Sequence, residues 1–62
     1  MSSILLIEDD NLFRETLAAA LDERGYAITQ APDGEKGVKL FRAAPTDLVL
    51  IGQAHSAKLS AA

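Results

Sequence analysis

Ile4-Leu5-Leu6-Ile7-Glu8-Asp9-Asp10 sets four branched apolar residues directly against three acids. A short continuous apolar run of this kind fits a strand buried on both faces, as in a parallel sheet. Adjacent carboxylates repel one another and are costly to desolvate together, which places them at the open end of a strand rather than in a core. In an open α/β sheet, ligands bind in the crevice beyond the carboxyl ends of the strands. The stretch therefore points to a site for a hard cation or a phosphoryl group, and the rest of the chain decides whether that site is complete.

Downstream, the period changes. From Asn11 to Arg24, Leu12, Phe13, Leu17, Ala20 and Leu21 fall on one helical stripe, with Arg14, Glu15, Asp22 and Glu23 elsewhere. Asp10 or Asn11 is placed to cap this helix, and Gly25 suits the left-handed residue that ends it. Tyr26 to Ala31 reads as a second strand, broken by Pro32-Asp33-Gly34. A second helix starts near Asp33 and runs to about Ala44, with Val38, Phe41 and Leu40 as its apolar face. Gly37 inside it costs about 1 kcal/mol relative to Ala unless close packing needs the missing side chain. Pro45 stops the helix, and Leu48-Val49-Leu50-Ile51 forms a third, fully apolar strand. The order β-α-β-α-β implies right-handed parallel crossovers.

Composition bounds the reading. Sixty-two residues allow one small domain. At that size a fold buries only about 60% of the surface its unfolded chain exposes, so a partner or other support is expected. There is no cysteine, hence no disulfide or thiolate site. A hydrophobic fraction of 48% suits a globular chain. The net charge of −3, without a basic cluster, gives nucleic-acid binding no support. No apolar run approaches the ~20 residues of a membrane span. Met1-Ser2-Ser3 has no basic region typical of a secretory signal, and a cytoplasmic location is expected.

ILLIEDD, a helix carrying Arg14 and Leu17, then Gly-Tyr, APDGEKGVKLF and PTDLVLI together resemble the receiver domain of bacterial two-component response regulators. The resemblance runs over roughly residues 3–51, and it rests on several motifs in the right order and spacing. It implies a flavodoxin-like, doubly wound parallel sheet, of which this chain carries half: β-α-β-α-β with strand order 2-1-3. The expected division is a truncated receiver-like domain over residues 1–51 and a partly disordered tail foreign to the family over residues 52–62. His55 in that tail has no acid-base partner in the sequence and reads as a solvated residue.

The resemblance also implies site residues. An acidic pair after the first strand holds Mg²⁺ in the family, and it maps onto Glu8 and Asp9, while Asp10 is better suited to the helix cap. Mg²⁺ takes oxygen ligands and keeps several waters, so two carboxylates give at most a residual, weak site. The family's phospho-acceptor aspartate follows the third strand. Gly52 occupies that position, and Asp47 lies at the other end of the strand. The family's switch hydroxyl and lysine have no counterpart, since Lys58 comes too early. A catalytically silent, non-enzymatic module that requires no cofactor is therefore expected. The alternatives are a Mg²⁺-dependent phospho-accepting domain, or a decoy for a histidine kinase or receiver partner. With the family's outer strands absent, Leu48–Ile51 becomes an apolar edge. A homodimer through that edge, or through exposed apolar faces, is expected to complete the fold.

Overall fold

Ser3–Ile7 forms β1, the central strand, and its interior residues Ile4, Leu5 and Leu6 are buried. The computed structural model describes residues 2–52. After β1 come α1 (Asn11–Glu23), β2 (Ala27–Ala31), α2 (Gly34–Ala43) and β3 (Leu48–Ile51). The sheet order is β2-β1-β3, with both pairings parallel. Ile4 to Ile7 stand beside Ile28 to Ala31 on one side and beside Leu48 to Ile51 on the other. This is the expected half of a flavodoxin-like sheet. The tail reading, including His55, lies outside the described residues apart from Gly52.

The two helices cover opposite faces, as right-handed crossovers in opposite directions require. On one face, Gly37 of α2 rests on Ile7 and Ala31. On the other, Ala18 of α1 borders Ile28 and Gln30. Residues two apart along a strand share a face, so Leu5, Ile7, Val49 and Ile51 look toward the α2 side, and Ile4, Leu6, Leu48 and Leu50 toward the α1 side.

Both helices begin with an aspartate cap. Asp10 Oδ1 accepts from the Phe13 amide at 2.9 Å, and Asp33 Oδ1 from the Lys36 amide at 2.8 Å. Each satisfies one of the free donors of a first helical turn. Gly25, at φ 94°, lies in the left-handed region and turns the chain from α1 toward β2.

Three expectations need correction. The inward stripe of α1 is Arg14, Leu17, Ala18 and Leu21, with Ala18 buried, while Leu12, Phe13 and Ala20 are exposed. The helix lies over β1 and β2, so a residue turned toward β3 meets no cover among the described residues. Next, β2 starts at Ala27. The Tyr26 amide instead donates to the Leu21 carbonyl at 3.3 Å, which keeps Tyr26 in the turn. Finally, Val38 and Phe41 are only partly covered, at 51% and 37% exposed. The buried position of α2 is Gly37, whose lack of a side chain lets the helix approach Ile7.

Candidate functional site

The carboxyl ends of β1 and β3 lie side by side and carry the acids of the opening stretch. They border a depression of about 230 Å³ lined by Glu8, Asp9, Asp33, Gly52 and their apolar neighbours. The three consecutive acids do not share one environment. Asp9 and Asp10 are exposed, whereas Glu8 is 2% exposed. The expectation that all three project from the strand end thus fails at Glu8. Its backbone continues the sheet, with its amide donating to the Ala31 carbonyl at 3.0 Å, and the side chain follows the strand's alternation inward.

The Glu8 carboxylate divides its oxygens unequally. Oε2 accepts from the Asp10 amide at 2.8 Å. Oε1 is buried and has no hydrogen-bond partner. It lies against Gly52, where a β-carbon would collide with it and would stand 2.7 Å from Glu8 Cδ and 2.9 Å from Glu8 Cβ. The Gly52 amide donates to the Ile7 carbonyl at 2.7 Å, so the backbone at position 52 still runs along β1. The carboxyl group of Glu8 thereby fills the space into which a side chain at position 52 would project. Asp47 is at the far end of β3, where its carboxylate accepts from the Ser3 amide at 2.8 Å.

Arg14 ties the acidic turn together. Nη1 donates to the Glu8 carbonyl at 2.8 Å, Nη2 to Asn11 Oδ1 at 2.8 Å, and Nε to Gln30 Oε1 at 3.2 Å. One guanidinium therefore joins the end of β1, the first turn of α1, and β2. Sequence reasoning placed Arg14 on the helix but gave it no role. The available signal was its position four residues after the capping Asp10, within reach of the strand end.

In donor chemistry the site suits a hard cation, with two carboxylate side chains and an open solvent side at Asp9. In geometry, the free oxygen of Glu8 lies against Gly52, while Asp9 is exposed. Among the described residues no group of three or more His, Cys, Asp or Glu side chains is placed to hold a metal ion. No helix among them is long and apolar enough to cross a membrane.

No family model matches the chain. Curated relatives do. Over 48 residues, 77% of this chain, it is 42% identical to the transcriptional regulatory protein CseB of Streptomyces avermitilis, covering 20% of that protein. Over 51 residues, 82% of the chain, it is 41% identical to the transcriptional regulatory protein AfsQ1 of Streptomyces coelicolor, covering 23% of it. Over 49 residues, 79% of the chain, it is 35% identical to response regulator RR06 of Streptococcus pneumoniae, covering 23% of it. Its homologues are response regulators. The chain spans about one fifth of the length of these relatives. Together with the strand order 2-1-3, the likeness supports a receiver-like fragment.

Proposed function

We propose that this chain is a receiver-like module that accepts no phosphoryl group at the end of β3 and acts by association. The observation that carries this reading is the contact between Glu8 and Gly52. Position 52 offers no carboxylate as nucleophile or ligand, and the neighbouring Glu8 carboxyl occupies the space a side chain there would use. The chain is not an enzyme on this reading, and it needs no cofactor. Mg²⁺ is held weakly at most, by Asp9 directly and by Glu8 only if its carboxyl turns away from Gly52. The partner surface is the apolar β3, which a second copy or a kinase or receiver partner could cover. Its four residues are 40% to 61% exposed.

Incubation with acetyl phosphate and Mg²⁺, followed by intact mass spectrometry, tests the silent site. The expected result is an unchanged mass. A stoichiometric phosphoryl adduct on the full chain would establish the alternative, a Mg²⁺-dependent phospho-accepting domain.

A further inference from the structure

We infer that the glycine at position 52 is a seat for the Glu8 carboxyl, and that this seat withholds Glu8 from any cation at the acidic strand end. The seat belongs to the proposed silent site, on which the inference rests. It adds a second cause of silence to the missing carboxylate.

Mg²⁺ keeps several waters and is held through one or two carboxylates that stand in the open. The described residues do not present that set. Glu8 is buried, its Oε2 accepts from the Asp10 amide at 2.8 Å, and its Oε1 lies against Gly52. Asp33 borders the same depression, but its Oδ1 accepts from the Lys36 amide. Asp9 is left as the exposed carboxylate nearest the strand end. The acids that suit the ion by type therefore do not fit it as placed.

Glycine at 52 is not demanded by the backbone. Gly25 is the glycine with a positive φ, and the Gly52 amide simply continues the pairing with β1 through the Ile7 carbonyl. What glycine supplies is space. A β-carbon there would collide with Glu8 Oε1 and stand 2.7 Å from Cδ. The carboxyl fills a gap that close packing would otherwise leave empty. Its other oxygen is fixed by a charge-assisted bond to a backbone amide. Seat and cation thus compete for one carboxyl group. A ligand that is available for only a fraction of the time weakens the apparent affinity by that fraction, so a seat filled about nine times in ten costs about tenfold.

The experiment titrates the full chain with Mn²⁺ alone and reads water-proton relaxation. It compares the unmodified chain, Gly52→Ala, and Gly52→Ala combined with Glu8→Gln. Alanine brings no ligand, so loss of a carboxylate at 52 cannot by itself make the first two differ. The seat predicts that Gly52→Ala binds about tenfold tighter or more, and that the gain disappears with Glu8→Gln. Equal affinities for the unmodified chain and Gly52→Ala, or a gain that survives Glu8→Gln, overturn the inference. Should the overpacked Gly52→Ala fail to fold by circular dichroism, the unmodified chain decides. Proton cross-relaxation between the Glu8 γ-protons and the Gly52 α-protons is expected both without Mg²⁺ and at millimolar Mg²⁺. Its absence without the ion, or its loss when the ion is added, overturns the seat. The acetyl phosphate measurement is separate. A phosphoryl adduct with the Glu8–Gly52 contact retained removes the silent-site reading alone, and an unchanged mass without that contact removes the seat alone.

Discussion

Gly52 and Glu8 face each other across the β1–β3 pair with no space left for a β-carbon between them. The collision involves both the Glu8 carboxylate oxygen and, at 2.9 Å, its β-carbon. Rotating the acid's end would relieve only the first contact, so a side chain at 52 must also displace the strand end. Gly52→Ala is therefore expected to destabilise the fold by about 1–3 kcal/mol, the usual cost of overpacking. In a Glu8→Ala background the same substitution should cost about 1 kcal/mol less, because the carboxyl atoms it meets are gone while the contact with the β-carbon remains. Urea midpoints of the four proteins at one chain concentration give the coupling. Equal costs in both backgrounds would show that Gly52 is not seated against Glu8.

Gly37 offers a second close approach with the opposite prior. In a helix interior, Ala is favoured over Gly by about 1 kcal/mol. Here a β-carbon would stand 2.5 Å from Ile7 Cδ1 and 2.9 Å from Ile7 Cγ1. Gly37→Ala is expected to destabilise by about 1 kcal/mol net, the overpacking outweighing the propensity gain. Ile7→Val removes the nearer of the two atoms. In that background the cost of Gly37→Ala should shrink to near zero, measured by thermal unfolding at fixed concentration.

What the sequence disclosed and withheld follows a physical line. Ile4–Ile7 and Leu48–Ile51 were legible as strands because unbroken branched runs have few other uses, and the order of elements then set the topology. Asp10, Gly25 and Asp33 were legible because caps and left-handed turns demand specific chemistry at single positions. Burial was less legible, because it depends on which neighbour lies across a gap. Glu8 reads as exposed beside Asp9 and Asp10, and strand alternation buries it. Leu12 and Phe13 read as core, yet both are exposed on a helix that packs mainly on β2 and β1. The seating of Gly52 against Glu8 joins residues 44 positions apart (52 minus 8), and no local pattern encodes it.

The cap at Asp10 gives a third expectation. Asp10→Ala removes the acceptor of the Phe13 amide but leaves the backbone amide that serves Glu8. A loss of about 1 kcal/mol is expected, as for other helix caps. Asp10→Asn, which keeps an acceptor, should recover most of it. Failure of Asn to recover stability would mean that Asp10 acts through its charge near the helix start rather than through the hydrogen bond.

Arg14 should prove the least replaceable surface residue of the acidic turn. Its three nitrogens reach three acceptors in three separate elements, which requires a planar, forked donor. Lysine carries the same charge on a single nitrogen and cannot meet all three. Arg14→Lys is therefore expected to cost nearly as much as Arg14→Ala, about 1–2 kcal/mol in either case. If only charge mattered, lysine would restore stability and the effect of Arg14→Ala would fade with added salt. Amide hydrogen exchange separates the two accounts. The hydrogen-bond account predicts faster exchange at Asp10 in both variants, because the Glu8 carbonyl that anchors the turn has lost its donor. An unchanged Asp10 rate in Arg14→Lys would leave Arg14 with an electrostatic role alone.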